Sequence, residues 1–373
     1  MPHSAPAYPV DGKPATPVDV VIAIVTWRSA ALTVNCLASI EQELATPGGN
    51  LRVVVVDNTS GDAEEIARAV DVNGWWPWVR LVTAPRNGGF AYGNNVAFQY
   101  AIADGPVDYV HLLNPDTVVR KGAISELVRF LQARPDVGIA GSGLENPDGT
   151  DWPIAFRFPS IMSELESGLQ LGLATRLLKR WVIPNQMTPV AQPIDWVPGA
   201  SMMVRRSLFD RIGGFDETYF LYYEETDFCH RARKAGASTW YVPSSRVMHI
   251  AGQSTNVTNH KPVPVRLPAY MFESRRRYFV ANHGAGYAML TDVVALAAHA
   301  LGYLKRVVQG RRHQSVPYFL TDLLRHSVLW RANRLAASRP RATRLRQHAP
   351  EGQVWTSADI ATACPPAARP SGS

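Results

Sequence analysis

A short acidic turn, Asn114-Pro115-Asp116, is where residue type and position first indicate chemistry. The apolar residues 109–113 predict a short buried strand, and Pro115 ends that strand because proline cannot donate to a ladder. Asp116 is therefore expected at the carboxyl end of a strand, the edge where open α/β sheets bind their ligands. A carboxylate there can hold a divalent metal, and a metal can hold a diphosphate. The alternative is that Asp116 only caps the helix expected near Lys121.

Two further polar turns are expected at the same edge of the sheet. Asp57 and Asn58 follow an apolar strand predicted at 51–56, and their groups suit a nucleobase or ribose, or else an Asx turn that caps a helix. Residues 87–95 contain three glycines and three asparagines at the start of a predicted helix. Glycine lets backbone approach a ligand, and helix N-terminal amides favour phosphate. The spacing differs from the G-x-G-x-x-G fingerprint, which argues against a Rossmann oxidoreductase.

Three acids, Glu224, Glu225 and Asp227, lie close together at the start of another predicted helix. The helix dipole explains part of this clustering. Neighbouring carboxylates also raise one another's proton affinity, which suits a general base. Glu224 and Asp227 share one helix face while Glu225 points elsewhere, so the acids can have different roles. His249, at the end of a later predicted strand, is either structural or a ligand beside an acidic metal site.

Strands and helices that alternate at βαβ spacing predict the frame for these turns. Residues 18–27 are a near-continuous β-branched run, typical of a parallel strand buried on both faces. Residues 161–181 are amphipathic and form either a packed helix or a lid or membrane-facing loop, after a hairpin expected around 146–149. Further strands are expected at 79–83, 137–140, 194–197, 201–204, 239–242 and 246–250, and helices at 30–43, 90–103, 123–133, 208–212 and 224–235. The fold class is α/β, with a mostly parallel sheet flanked by helices.

The chain after Arg275 is helical in pattern and rich in arginine, within a net charge of +7. That excess indicates a surface for anionic lipid or phosphate rather than for nucleic acid. Residues 287–304 are apolar and about as long as a membrane span, yet they contain Asp292 and His299, and charge inside a span is costly. We expect a helix that lies in the membrane interface or packs in a hairpin, against the alternative of a solvated appendage.

Composition indicates an ordinary globular protein of one large or two smaller domains, with 373 residues and 46% apolar content. The three cysteines are far apart and odd in number, which predicts a reducing compartment without disulfides. The leader at 1–17 lacks the apolar core of a secretory signal, and both it and the tail at 338–373 are expected to be disordered.

The polar turns together resemble the family 2 glycosyltransferases with a GT-A fold, and most of all their bacterial rhamnosyltransferase-type branch. The resemblance runs from Val18 to about Ser254. The matching motifs are Ile24-Val25-Thr26-Trp27, Val56-Asp57-Asn58-Thr59-Ser60, Asn87 to Asn95, Asn114-Pro115-Asp116, Pro198-Gly199-Ala200, Gly213-Gly214-Phe215-Asp216-Glu217 and Tyr223-Glu224-Glu225-Thr226-Asp227. These motifs, in this order, are highly specific for the family and much less specific for the sugar.

The resemblance implies a role for each motif. Asp116 would bind the metal in the family's Asp-x-Asp position, with Asn114 in place of the first acid, and His249 matches another metal-ligand position. Glu225 matches the catalytic base, where the family usually has aspartate, and Glu224 is the alternative base. The residues implied on the donor side are Thr26, Asp57, Asn58, Asn87, Gly89, Asn94, Asn114 and Asp116. Those implied on the acceptor side are Trp196, which can stack on a sugar face, Gly199 and Asp227.

The implied activity is an inverting, metal-dependent sugar transfer with Mg²⁺ or Mn²⁺ as cofactor. The branch favours dTDP-L-rhamnose as donor, with a UDP-sugar as the alternative, and a lipid-linked or polysaccharide acceptor in cell-envelope glycan synthesis. The expected location is cytoplasmic, peripheral on the inner face of the cell membrane, and a homo-oligomer is compatible with it. A catalytically silent nucleotide-sugar-binding scaffold is the non-enzyme alternative, against which the intact acids argue.

A processive synthase is disfavoured, because it would need several clear spans and a Gln-x-x-Arg-Trp motif. The expected limits are a catalytic domain at 18–256, divided into a nucleotide-sugar half (18–141) and an acceptor half (142–256), and a helical membrane-associating extension at 257–337.

Overall fold

The β-branched runs near the start of the chain form the parallel part of a mixed sheet. The computed structural model describes residues 17–44, 49–169, 172–250, 265–311, 315–329 and 352–363. The strands are β1 (Val18–Thr26), β2 (Gly49–Asp57), β3 (Val79–Thr83), β4 (Tyr109–Leu113), β5 (Thr117–Val119), β6 (Val137–Glu145), β7 (Asp151–Trp152), β8 (Gln192–Ile194), β9 (Ser201–Arg205), β10 (Ser238–His249) and β11 (Gln353–Val354). The helices are α1 (Ala30–Leu44), α2 (Ala63–Val72), α3 (Gly89–Ala103), α4 (Ala123–Ala133), α5 (Ile161–Leu169), α6 (Gly172–Leu177), α7 (Arg206–Ile212), α8 (Glu224–Lys234), α9 (Ala269–His283), α10 (Ala285–Val308), α11 (Phe319–His326) and α12 (Ser357–Ala363).

The strand order brings the polar turns to one edge of the sheet. Within the described ranges the order is β11-β3-β2-β1-β4-β9-β6-β10-β5, with β7 beside β6 and β8 beside β10. β3, β2, β1 and β4 run parallel, as expected of strands buried on both faces. β9 lies antiparallel between β4 and β6. The segment before β9 therefore meets the turns that follow β1, β2 and β4.

The α/β class is confirmed, but several elements differ from the predictions. The sheet is mixed rather than mostly parallel, because β9 and the short edge strands pair antiparallel. The helix predicted at 123–133 is α4, but an unpredicted strand, β5, lies between Asp116 and this helix and pairs with the end of β10, opposite His249. The strands predicted at 239–242 and 246–250 are one strand, β10, with a register shift between Val242 and Arg246. The strand predicted at 194–197 ends at Ile194.

The amphipathic residues 161–181 form α5, α6 and a 3₁₀ turn at Lys179–Trp181, so the packed-helix alternative holds for α5. α5 runs parallel to α10. At its start the Ile161 amide donates to the Tyr287 hydroxyl at 3.2 Å. At its end Gly168 lies so close to Gly302 that the two backbones touch. The absence of a side chain at both positions permits this approach.

The apolar stretch predicted at 287–304 is α10, and it packs in a hairpin with α9. Asp292, the charge that argued against a membrane span, is buried and paired with Arg275 of α9 at 2.6 Å. Arg275 also binds Glu164 of α5 at 3.0 Å, so three helices meet at one guanidinium. Among the described helices only α10 is long and apolar enough to cross a membrane, by length and composition alone.

The tail contains structure that the sequence composition did not predict. β11 pairs antiparallel with β3, and the Trp355 indole donates to the Thr83 hydroxyl at 2.9 Å. The expected disorder at 338–373 is therefore wrong for residues 352–363. The leader, apart from Pro17, and the expected boundary at 256 lie outside the described residues. Cys36 and Cys229 are buried free thiols, as expected of a chain without disulfides, and Cys364 lies outside the described residues.

Gly302→Ala is expected to destabilise the protein, whereas Gly286→Ala in the same helix is not. A Cβ at position 302 would lie 2.1 Å from the Gly168 carbonyl oxygen, so α5 and α10 would have to separate. Overpacking of this kind costs about 1–3 kcal/mol. A Cβ at position 286 would meet nothing within 4 Å, and alanine is the better helix former. Thermal unfolding should show a lower Tm for the first variant and an equal or higher Tm for the second. Equal shifts in the two variants would contradict the close helix contact.

Candidate active site

The pocket begins at the end of β2 with Asp57, whose side chain is buried. Its Oδ1 accepts hydrogen bonds from the Ser60 amide at 2.9 Å and the Ser60 hydroxyl at 2.6 Å. Its Oδ2 is buried and has no partner within the described ranges. An unpaired carboxylate oxygen is costly to bury, so it is available to accept from a ligand. The contact between Asp57 and a nucleobase or ribose stays a prediction.

Asn58 supports the pocket rather than lining it. Its Nδ2 donates to Asn87 Oδ1 and to the Gly89 carbonyl, both at 3.1 Å, and its Oδ1 accepts from the Gly88 amide at 3.3 Å. Asn87 Oδ1 also accepts from the Gly89 amide at 3.1 Å. The Asn58 amide group is therefore engaged in holding the loop, and its predicted direct contact with the donor is corrected to a role in positioning. Asn87 is exposed and uses only its Oδ1 in the loop, so its contact with the donor stays a prediction.

The loop amides expected to bind phosphate are engaged too. The Gly88 and Gly89 amides bond within the loop, and the Phe90 amide donates to the Phe220 carbonyl at 2.9 Å. Gly89 has a left-handed φ of 83°, and a Cβ there would lie 1.9 Å from the Phe220 oxygen. Glycine is needed at this position because two backbones meet. The loop joins the donor side to the segment before Glu224.

Thr26 and Asn94 complete the predicted donor residues. Thr26 is fully buried, and its hydroxyl bonds to Ser29 and Thr33, each at 3.0 Å, so it braces the turn after β1. Its predicted contact with the donor is corrected accordingly. Asn94 donates to the Phe90 carbonyl at 2.9 Å, but its Oδ1 is buried and unpaired among the described residues. Asn94 therefore stays a candidate for donor binding.

A candidate metal centre lies where β5 meets the end of β10. His249 Nε2 lies 3.3 Å from Asp116 Oδ1, and both side chains are nearly buried. The backbones are joined as well, because the Ile250 amide donates to the Asp116 carbonyl at 3.0 Å. The turn before Asp116 is held by the Asn114 amide, which donates to the Ala200 carbonyl at 3.1 Å. The pairing of β5 with β10 thus brings together two residues that are far apart in sequence.

These two side chains fit a divalent cation. Asp116 Oδ1 has no hydrogen-bond donor, and His249 Nδ1 is buried without a partner in the described part of the chain. Carboxylate oxygen and imidazole nitrogen are both ligands for Mn²⁺-type ions. The described residues contain no cluster of three or more potential ligands, so the rest of the coordination would come from substrate or water.

The two candidate bases begin α8, where Glu224 is buried and Glu225 is partly buried. Burial, together with the charge of Glu225, raises the pKa of Glu224 well above its usual value. Burial raises the pKa of Glu225 to about 7, even though the Gly199 amide donates to its carboxylate and acts to lower it. Each residue has a buried Oε2 that lacks a partner within the described ranges. Near neutral pH the pair therefore holds a proton, and Glu225 is the easier of the two to ionise.

The turn before α8 is strained and is held from behind by α9. Tyr222 and Tyr223 both have a left-handed φ of 68°, which is unusual for a bulky residue. The Ser274 hydroxyl of α9 donates to the Leu221 carbonyl at 3.0 Å. Arg277 of α9 binds Asp216, in the preceding loop, at 2.6 Å. These supports were not predicted from the sequence, because a basic helix far along the chain indicated only a surface for lipid or phosphate.

The predicted acceptor residues have three different environments. Asp227 is fully buried, and its carboxylate binds Arg231 at 2.8 Å and Asn282 at 2.7 Å. These contacts leave it no role on an acceptor, so that prediction is wrong. Trp196 stacks on Phe156 at a centroid distance of 4.5 Å, which occupies one face of its ring. Gly199 donates its amide to Glu225 and thus contacts the candidate base directly.

A model of the family described as glycosyltransferase-like family 2 matches residues 17–261. The chain belongs to glycosyltransferase family 2. The matched range contains every candidate site residue named above and ends before α9. This confirms the resemblance and makes the protein a glycosyltransferase, although the family model does not include the α9 contacts that support the site.

Two relatives and one solved structure are similar to this glycosyltransferase. It is 29% identical to the N-acetylglucosaminyl-diphospho-decaprenol L-rhamnosyltransferase of Mycobacterium tuberculosis over 282 residues, which is 73% of this chain and 83% of that protein. It is 23% identical to the dTDP-rhamnosyl transferase RfbF of Shigella flexneri, over 74% of this chain and 85% of that protein. A crystal structure of GalNAc-T7 with UDP, GalNAc and Mn²⁺ matches with a TM-score of 0.51 at 13% identity, over 83% of this chain and 58% of that one. The structural match supports the GT-A fold.

Gly89→Ala is expected to disrupt the donor loop, with Gly61→Ala as a matched control. Both glycines have a left-handed φ, 83° at Gly89 and 90° at Gly61, so alanine is strained by roughly 1–2 kcal/mol at either position. Only at Gly89 would the new Cβ also collide with a backbone, that of Phe220, since nothing lies within 4 Å at Gly61. Chemical denaturation should show a larger loss of stability for Gly89→Ala. Equal losses would mean that the loop does not touch the Phe220 segment.

Proposed function

We propose that this glycosyltransferase transfers L-rhamnose from dTDP-L-rhamnose to a lipid-linked or polysaccharide acceptor in cell-envelope glycan synthesis. The names of the two relatives support the sugar, since both are rhamnosyl transferases. The Mycobacterium tuberculosis relative is named for an acceptor on a decaprenol diphosphate. The observation that carries the proposal is that Asp57, Asp116 and Glu225 present unpaired, buried carboxylate oxygens at one edge of the sheet.

Each of these carboxylates has a different task in the proposed reaction. Asp57 Oδ2 accepts a hydrogen bond from the nucleobase or ribose of the donor. Asp116 and His249 would hold Mg²⁺ or Mn²⁺, and such a cation, when bound, offsets the charge of the departing nucleoside diphosphate. Asn94 Oδ1 remains for a hydroxyl of the donor. The buried setting strengthens each of these polar contacts, because little water competes for them.

Glu225 is the proposed general base. Its carboxylate takes the proton from the acceptor hydroxyl while that oxygen attacks the anomeric carbon from the side opposite the diphosphate, so the configuration inverts. A pKa near 7 suits this task, because the base is both partly ionised and a good proton acceptor at neutral pH. The Gly199 amide favours the ionised form by donating to it. Glu224, with its higher pKa, stays protonated beside it.

Donor binding is expected to depend on Asp116 and on a divalent cation. The chain offers a matched control, because Asn146-Pro147-Asp148 repeats the same tripeptide in an exposed hairpin turn. Calorimetry with dTDP, UDP and GDP, in Mn²⁺ or in EDTA, should show Mn²⁺-dependent binding of dTDP by the wild type. Asp116→Asn should lose at least about tenfold in affinity, the equivalent of one charged ligand contact. Asp148→Asn should bind as the wild type does.

The nucleotide that binds decides the donor class. Preferential binding of UDP would replace dTDP-L-rhamnose by a UDP-sugar in the proposal. Binding that is equal in Mn²⁺ and EDTA, and equal in Asp116→Asn, would remove the metal from the Asp116–His249 position. Hydrolysis of dTDP-L-rhamnose by the wild type would further separate an enzyme from a silent binding scaffold.

The rate of transfer is expected to fall as pH drops below about 7, because protonation of Glu225 removes the base. In a profile of kcat/KM against pH, the loss should approach tenfold per unit on the acid side. Glu225→Gln should lose at least about a hundredfold in kcat while it still binds dTDP. Glu224→Gln should keep the same midpoint, since burial rather than the charge of Glu224 raises the pKa of Glu225. If the acid-side fall in kcat/KM disappeared in Glu224→Gln and remained in Glu225→Gln, Glu224 rather than Glu225 would be the general base.

A further inference from the structure

One face of α10 is apolar and exposed along the whole helix. Its large exposed residues recur at helical spacing: Leu290, Val293, Leu301, Leu304, Val307 and Val308. With 24 residues, the helix is about 36 Å long at 1.5 Å per residue. Contiguous apolar surface of this extent is unusual on a soluble protein and marks a contact with another apolar phase.

Cations gather at the carboxyl end of this face. Lys305 and Arg306 lie in the last turn of α10. The exposed Arg311 follows the helix. The patch therefore combines apolar side chains with a cluster of positive charge.

The opposite face of α10 is committed to the protein. It packs on α5, α9 and α11, and it holds the buried pair between Asp292 and Arg275 at 2.6 Å. If α10 crossed a bilayer, this face would have to leave its partners and expose an unpaired carboxylate to hydrocarbon, which is costly. A helix with one apolar face outward, one face on the protein and cations at its end suits the interfacial position of monotopic proteins.

We infer that the outward face of α10 and the basic residues at its carboxyl end, Lys305, Arg306 and Arg311, form one surface that lies on an anionic lipid bilayer. The inference rests on the proposed function only for its choice of a lipid-linked acceptor, whose hydrophobic end must stay in a membrane. The positive charge matches the anionic headgroups, and the apolar face enters the acyl boundary. The location is peripheral, with α10 parallel to the bilayer rather than across it.

This surface has a fixed relation to the candidate base. Arg275 joins α10 to α5 and α9, through Asp292 and Glu164. α9 in turn holds the segment before Glu224 through the bond from Ser274 to the Leu221 carbonyl. Residues of one rigid group of helices thus contact both the proposed lipid surface and the active site. The base is therefore held at a fixed distance from the lipid headgroups. The sugar end of a lipid-linked acceptor would lie at that same distance.

Vesicle co-sedimentation of the full chain tests the inference. Wild-type protein should bind vesicles that contain phosphatidylglycerol and bind pure phosphatidylcholine vesicles much more weakly. A cation near an anionic surface is worth about fivefold in partition coefficient. Replacing Lys305 and Arg311 by Gln should therefore weaken binding roughly twentyfold. Equal binding to both kinds of vesicle, or no loss of vesicle binding in this variant, would overturn the inference that positive charge attracts this surface to the lipid.

The apolar face is tested with Leu301→Glu and Leu304→Glu, each expected to lose at least about tenfold in binding. Val72→Glu is the matched control, since Val72 is 86% exposed but lies on α2, away from the patch, and it should bind as the wild type does. Resistance of the bound wild type to alkaline carbonate would show a spanning helix and overturn the inference. A change in oligomeric state on size exclusion, with vesicle binding intact, would assign the face to a second copy instead.

Donor binding, measured by calorimetry without vesicles, separates this inference from the proposed function. The patch variants should bind dTDP as the wild type does, because none of the changed residues contacts the active site. If the wild type binds vesicles as described but binds no nucleotide, the proposed function fails and the lipid surface stands. If it binds dTDP while the patch variants keep full vesicle binding, the inference fails and the proposed function stands.

Discussion

Two adjacent carboxylates, Glu224 and Glu225, are buried at the start of α8, and much of the surrounding structure serves to keep them there. Burial disfavours their ionised forms, and the left-handed Tyr222 and Tyr223 that present them cost on the order of 1–3 kcal/mol each. Such a turn persists only where its surroundings over-determine it. Here the support comes from the donor loop on one side and from α9, through Ser274, on the other.

The helices after the matched family range are therefore part of the catalytic unit as well as a separate surface. Arg277 and Asn282 of α9 bind Asp216 and Asp227, which lie in family motifs. The sequence pattern predicts a catalytic domain that ends at residue 256 and a separate membrane-associating extension after it. The contacts show α9 packed directly behind the base, since its polar side chains add hydrogen bonds to both of these buried acids.

The sequence predicted the strands and the turns well but not the partners of the side chains. Near-continuous β-branched runs and an Asn-Pro-Asp turn are local signals, and they correctly placed β1, β2 and β4. The meeting of Asp116 with His249 depends on β5 and β10, whose pairing is set by the whole sheet. Residue type also could not predict that the two neighbouring side chains differ. Asp57 has a carboxylate oxygen without a partner among the described residues, whereas both ends of the Asn58 amide group are hydrogen-bonded. That difference depends on where neighbouring loops approach, which no local pattern encodes.

The pairing of β11 with β3 has a consequence for how the protein folds during its synthesis. Until β11 pairs with it, β3 is the edge strand of the sheet. This pairing is possible only after Trp355, which lies 272 residues after Thr83, has left the ribosome. During that interval the nascent sheet carries an open row of backbone donors and acceptors, the kind of edge that recruits strands from other chains. Synthesis of β11 thus allows the exposed edge of β3 to be paired. A stalled or truncated chain would retain the active-site residues and yet be prone to aggregate.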